Sequence, residues 1–344
     1  MARRLRQPLI PLLVLAGLLV ACSDRQPGAL ELSGQTMGTT WSVKSISSHE
    51  ATQLQARIDA TLDSINNMMS TYLVDSALSM FNANPSTEWQ AAPAELVEVV
   101  RAARQISELS GGAFDVTVGP LVNLWGFGSD PAGRIVPNEQ HIQRELERVG
   151  YQKLEHRGTP PALRKSVSSL YVDLSAIAKG YGVDRVAELL EAEGIDDFLV
   201  EIGGEVRSKG VNASGKPWRI AIEKPDGLGR AIYQVVPLRD SSMATSGDYR
   251  NFFMDQGQRY SHTIDVRTGK PVDHSLASVT VVAETCMRAD GLATALASLG
   301  PRAGFDLAER HGIAALFIER TQDGFRDMAT RSFKKMLEGQ PDNA

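Results

Sequence analysis

Five strand-like runs at short spacing fill much of the C-terminal half of this 344-residue chain. Phe198 to Ile202, Trp218 to Glu223, Tyr233 to Leu238, Arg259 to Val266 and Ser278 to Ala283 are rich in β-branched and aromatic residues and lie between turn formers. Thr39 to Ile46 alternates in the same way, and Ile313 to Ile318 reads as a last strand. Helical periodicity surrounds them. Leu54, Ile58, Leu62 and Ile65 recur at helical spacing in His49 to Met69, and Leu96, Val99, Val100 and Ile106 do so in Ala94 to Leu109, which stops at Gly111-Gly112. Asn138 to Val149 reads as a helix with Asn138 as N-cap and Gly150 past its end, and another runs from after Ile177 to about Glu193. Two more are expected at about 286–299 and 301–311. Neighbouring strands at short spacing, mixed with helices, predict an α+β fold with an antiparallel or mixed sheet rather than a doubly wound parallel one. The segment from Ala113 to Gly128 is rich in glycine and aromatics and predicts a structured loop.

The N-terminus constrains location. Arg3, Arg4 and Arg6 precede an apolar stretch from Leu9 to Val20, about a dozen residues and short for a membrane span. Leu19-Val20-Ala21-Cys22 follows and resembles a bacterial lipobox, with residues 1–21 as signal peptide and Cys22 as the lipidated residue. More than one acyl chain on Cys22 gives stable membrane attachment. Residues 22–35 read as a polar tether, 36–330 as the functional domain and 331–344 as a polar tail. Cys286 is the second of two cysteines, so lipidation of Cys22 leaves no pair for an internal disulfide. The net charge of −5 falls to −8 once the three leader arginines are removed, and no Lys/Arg cluster is present, so nucleic acid is not an expected partner.

Familiar catalytic signatures are missing: Gly215-Lys216 is followed by Pro217 rather than completing a P-loop, and no G-x-G-x-x-G, H-E-x-x-H, C-x-x-C or G-x-S-x-G occurs. Asp290 and Thr294 stand four apart in an expected helix, which puts a carboxylate and a hydroxyl, both hard oxygen donors, on one face. Thr294 could equally bond back to its own helix while Asp290 caps or faces solvent. Asp173 near the next helix start is an N-cap or a ligand contact, Lys179 a surface cation or a site residue, and Gly203-Gly204 a turn or a close backbone approach. His262 has the side chain suited to general base work near neutral pH, but a lone strand histidine also serves structure. Ser70-Thr71-Tyr72 and Thr245-Ser246-Gly247-Asp248-Tyr249 read first as turns.

The ordered set is more specific than its members. Met37-Gly38-Thr39, Met69-Ser70-Thr71-Tyr72, Gly111-Gly112-Ala113-Phe114-Asp115, Asp173-Leu174-Ser175-Ala176-Ile177-Ala178-Lys179-Gly180, Ile202-Gly203-Gly204, Ser246-Gly247-Asp248-Tyr249, His262-Thr263-Ile264-Asp265 and Ala289-Asp290-Gly291-Leu292-Ala293-Thr294 follow one another in one chain. This set resembles the ApbE family of FAD:protein FMN transferases, from about Thr36 to Glu319. The resemblance implies a two-part α+β architecture with FAD bound between the parts. It implies Mg²⁺-dependent transfer of the FMN half of FAD to a Thr or Ser hydroxyl of a target protein, with release of AMP. Met37, Tyr72, Ala113, Phe114, Asp115, Asp173, Lys179 and Ile264 match the family's FAD-lining positions. Asp290, Thr294 and the backbone oxygen of Ala176 match its metal ligands, and His262 is the candidate base or orienter beside catalytic Asp290. Implied partners are membrane redox proteins on the outer side of the cytoplasmic membrane, among them subunits of ion-pumping quinone reductases and flavin-bearing respiratory regulators. The expected location is the periplasmic side of a bacterial membrane, the inner one, through Cys22. Hydrolysis of FAD to FMN and AMP is the alternative activity, and a non-catalytic FAD-binding lipoprotein the alternative class. Departures from the family pattern are Val266, Glu201, Glu205 and Gly291, none of them a metal ligand.

Overall fold

The computed structural model describes residues 28–129, 133–226, 229 and 231–338. The leader and Cys22 lie outside these residues. Eight strands form the main sheet: β1 (Gly28–Thr36), β2 (Thr39–Ser47), β3 (Phe198–Ile202), β4 (Glu205–Lys209), β5 (Ser241–Gly247), β6 (Leu276–Ala283), β7 (Ala314–Thr321) and β8 (Gly324–Ala329). Their order across the sheet is their order along the chain, and each neighbouring pair is antiparallel. The α+β expectation therefore holds, in its antiparallel form.

The helices are α1 (Ala51–Met69), α2 (Ala77–Ala83), α3 (Ala94–Leu109), α4 (Gly119–Leu124), α5 (Glu139–Leu146), α6 (Ala178–Ala192), α7 (Cys286–Arg310) and α8 (Arg331–Glu338). α7 is broken at Gly300, whose φ of 81° precedes Pro301, so it is two helices end to end, as the sequence predicts. The period of two along β7 assigns the layers. Ala315 and Phe317 enter the core under the helices, whereas Leu316 and Ile318 point to the opposite face. α6 lies on β3 and β4, α7 on β5 and β6, and α1 and α3 pack outside them. The opposite face is covered by the hairpin Trp218–Glu223/Ile232–Leu238 and by α8. A smaller part, built from α4, α5 and two short hairpins, has its own apolar cluster around Leu121, Trp125, Ile142 and Ile264. The Trp125 indole N–H donates to the Gly269 carbonyl at 2.9 Å and fixes that part's centre.

Five expectations need correction. The tether reading of 22–35 fails from Gly28 onward, where the chain pairs in full register with β2 and buries Leu32. Only Leu30 and Leu32 mark the inward face of this edge strand, so its Gly, Ser and Gln content masks it. The tail reading of 331–344 fails over Arg331–Glu338. Phe333 is fully buried, Met336 and Leu337 follow it at helical spacing, and Thr330 Oγ1 caps the turn by accepting from Phe333 N–H. The loop expected over 113–128 contains α4, which starts with Pro120 in its first turn, where the missing N–H costs nothing. The strand expected over Arg259 to Val266 breaks at His262-Thr263 into Gln258–Ser261 and Ile264–Asp265, while Thr245-Ser246-Gly247, read as a turn, ends β5.

Candidate functional site

A cavity of about 1360 Å³ opens between the helical side of the main sheet and the smaller part. Every site residue named from the sequence resemblance apart from Cys22 lines it. Met37 enters from the β1–β2 turn. Met37 and Gly38 have φ of 49° and 72°, the pair of left-handed residues that a two-residue hairpin needs. Gly38 adopts this freely. Met37 holds it at a steric cost while its side chain lies against α6, where a Cβ on Gly182 would come within 3.1 Å of Met37 Cε.

The opposite wall is the contact of α6 with α7. Gly180 makes it possible, since a Cβ there would meet the Cys286 carbonyl oxygen at 2.4 Å and Asp290 Cβ at 2.8 Å. At this approach the Gly180 N–H donates to Asp290 Oδ2 at 3.0 Å instead of to the carbonyl four residues back. That carbonyl belongs to Ala176 and accepts no hydrogen bond among the described residues. Thr294 makes no side-chain hydrogen bond among the described residues, so it does not bond back to its own helix. Asp184, on α6, seats α7: its carboxylate accepts from the N–H groups of Cys286 and Met287 at 2.9 and 2.8 Å and pairs with Arg207.

Lys179, Glu205 and Asp290 form a charged trio on this wall. Lys179 Nζ lies 2.7 Å from Glu205 Oε1, while Glu205 Oε2 is buried without a partner. Burial opposes the Lys179 charge, but the carboxylates of Asp290 and Glu205 outweigh it and hold its pKa above the ordinary lysine value. Burial pushes the Glu205 and Asp290 carboxyls up, Lys179 pulling the other way on both. Asp290 offers carboxylate oxygens here, to which the free Ala176 carbonyl and the free Thr294 hydroxyl add oxygen donors. This donor set suits a hard divalent cation.

Other residues have mixed duties. Asp173 Oδ1 accepts from the N–H and hydroxyl of Ser175, so it closes the turn before α6 and does not cap the helix, whose N-cap is Ile177. Both Asp115 carboxylate oxygens are engaged: one with Thr117, the other with the Tyr151 N–H at 2.7 Å. Asp115 thus shapes the loop that brings buried Ala113 and Phe114 to the cavity. Ile264 reaches it from the smaller part, and Tyr72 stands at the rim, 70% exposed. His262 Nδ1 is 3.0 Å from the Asn251 carbonyl. Donation to that carbonyl fixes the proton on Nδ1 and leaves Nε2 as an acceptor. Burial lowers its pKa below the usual imidazole value, so the ring is neutral near pH 7.

Gly203 and Gly204 are both a turn and a close approach. Their φ values are 62° and 107°, and a Cβ on Gly203 would meet the Thr39 side chain at 2.9 Å. Glu201 pins this turn by accepting from Gly204 N–H and Ser42 Oγ. At Gly291 a Cβ would meet Ile106 Cδ1 at 2.4 Å, so Ile106 fills the space there. Sequence reasoning missed Glu205 as the partner of Lys179. Its one signal was a charged residue directly after the diglycine turn. It also missed Arg250 and Glu223, an ion pair on the cavity wall with no motif in the chain.

The fold and this two-sided cavity are those of a flavin transferase scaffold, and the comparisons agree. The chain belongs to the ApbE family, whose sequence model matches residues 37–317. The FAD:protein FMN transferase of Vibrio cholerae is 46% identical over 330 residues, covering 95% of this chain and 98% of that protein. The Haemophilus influenzae FAD:protein FMN transferase is 42% identical over 333 residues, 94% and 96% of the two chains. The structure of the flavin transferase ApbE from Vibrio cholerae superposes with a TM-score of 0.84 at 45% identity, covering 90% of this chain and 99% of that one. The apo Pseudomonas stutzeri flavinyl transferase ApbE gives 0.84 at 42% identity, with 91% and 98% covered.

Proposed function

We infer that this chain is an FAD:protein FMN transferase. The observation that carries the reading is the convergence of twelve residues, spread from Met37 to Thr294, on one cavity in a chain similar over nearly its whole length to enzymes of that name. The cavity is larger than an ordinary ligand pocket of roughly 300–1,000 Å³, which leaves room for a dinucleotide and the tip of an acceptor protein.

In this reading the acceptor hydroxyl oxygen bonds to the FMN-side phosphorus of the FAD pyrophosphate, the bridging P–O bond breaks, and AMP leaves. The hydroxyl proton must go to a base. His262 Nε2, with its lone pair free, is suited to take or steer it. Asp290, Thr294 and the Ala176 carbonyl would hold Mg²⁺, which supplies charge neutralisation at the phosphates. Their support is the freed Ala176 carbonyl and its place beside the buried Asp290 carboxyl. Met37, Tyr72, Phe114, Ile264 and their neighbours at Ala113, Asp115 and Asp173 would bound the FAD, with Lys179 placed to meet its phosphates.

Anchoring at Cys22 on the periplasmic face of the inner membrane belongs to the same proposal, resting on the lipobox-like leader. None of the described helices is long and apolar enough to cross a membrane. A tether of this kind raises the local concentration of membrane redox acceptors, such as quinone reductase subunits. With FAD, Mg²⁺ and acceptor protein, one AMP should be released per flavin bound to protein, measured by chromatography. Mg²⁺ binding, followed by calorimetry, should be lost in Asp290→Ala. AMP and free FMN without protein-bound flavin would instead establish the FAD hydrolase.

A further inference from the structure

The turn after α1 carries an apolar surface that the fold itself does not use. Tyr72 is 70% exposed, Leu73 43%, Val74 80% and Met80 56%, all within one short stretch of chain. This stretch is rigid. Ser70 Oγ accepts from the N–H groups of Tyr72 and Leu73 at 3.1 and 3.3 Å. The Ser70 carbonyl accepts from the hydroxyls of Ser76 and Ser79, and the Leu73 carbonyl from Ser76 N–H. Leu78 and Phe81 bury the other side of α2 in the main core. The chain therefore fixes its backbone firmly while presenting large apolar side chains to solvent, which is the pre-organisation expected of a contact surface.

We propose that Tyr72, Leu73, Val74 and Met80 form the surface on which the acceptor protein docks, taking apolar side chains that flank the acceptor's hydroxyl residue. This rests on the transferase reading above. Continuity argues for this occupant. Tyr72 and Leu73 line the cavity as well as the patch, so a polypeptide laid on the patch leads directly to the mouth. Transfer to a protein, unlike hydrolysis, requires a macromolecule to cover that mouth. Charge argues against a membrane surface: residues 70–84 contain Asp75 and no Lys or Arg, whereas an interfacial segment draws on cations. Four side chains are also too few for a stable homodimer, whose interface needs about 800 Å² on each partner.

The test uses the full chain in detergent. The probe is a protein known to carry FMN on a threonine, produced in a host without a transferase so that its hydroxyl is free. Val74→Asp and Met80→Asp should each raise the acceptor KM by about tenfold, the cost of losing one well-buried interface side chain. The kcat at saturating acceptor and the FAD dissociation constant should not change. Ile232→Asp, an equally exposed apolar position outside the cavity, should leave all three unchanged. An unaltered acceptor KM in both patch variants, with normal transfer by the wild type, would overturn the docking proposal alone. So would an unaltered KM accompanied by weaker recovery on anionic vesicles, which would assign the patch to lipid. Failure of the wild type to transfer any FMN would overturn the transferase reading and this proposal with it.

Discussion

Gly180 is the residue on which the site's geometry turns. Its missing Cβ lets α7 approach α6 until Asp290 takes the Gly180 N–H, and that exchange frees the Ala176 carbonyl. Gly180→Ala must push the helices apart against the Cys286 backbone. The expected cost is about 1–3 kcal/mol of stability, read from the urea midpoint, with a steeper loss of Mg²⁺-stimulated turnover. Wild-type stability in this variant would show that the two helices are not in contact as described. His262 gives a pH test. Its folded pKa lies below 6.5 because burial disfavours the charged ring, so the neutral base persists as pH falls to 6.5 and is lost only lower. The acid limb of kcat/KM should sit below pH 6.5 and vanish in His262→Gln. The stability linkage has the same sign: the unfolded chain takes the proton first, so this contribution is full above pH 6.5 and declines as pH falls toward the folded value. An acid limb that persists in the variant would assign the titration to another group.

At the scale of elements, α8 shows what polar composition conceals. Arg331–Glu338 reads as a solvated tail, yet Phe333 is fully buried on the sheet face opposite the helices. Phe333→Ala should cost about 3–5 kcal/mol by chemical denaturation, whereas a residue in a free tail would cost nothing. The long helices α1, α3, α6 and α7 were legible because their apolar positions keep one period over several turns. β3 and the strand Trp218–Glu223 were legible to the residue. β1, β4 and β8 were not: Glu205–Lys209 and Gly324–Ala329 close hairpins with the strands just before them, but their own mix of charged and apolar residues carries little strand signal. The break at His262 was hidden because the flanking residues are good strand formers. Each half pairs in its own hairpin, Gln258–Ser261 with Phe252–Asp255 and Ile264–Asp265 with Lys270–Pro271.

Over the whole molecule, sheet order equals chain order, so residues as far apart as Met37 and Thr294 meet only when the complete sheet and its helical layer have assembled. That is why Asp290, Thr294, Lys179 and His262 each had an ordinary structural reading in isolation, while the ordered set identified the family. What the set did not contain was the electrostatic pairing across the wall. Glu205 with Lys179, and Asp184 with the first amides of α7, depend on how β4, α6 and α7 are stacked. The most direct test is the intact mass of an acceptor protein after incubation with this chain, FAD and Mg²⁺. One FMN should be gained on a Thr or Ser, and the gain abolished by chelator and by Asp290→Ala. An acceptor of unchanged mass, with FAD left intact by the wild-type chain, would rule the transferase out.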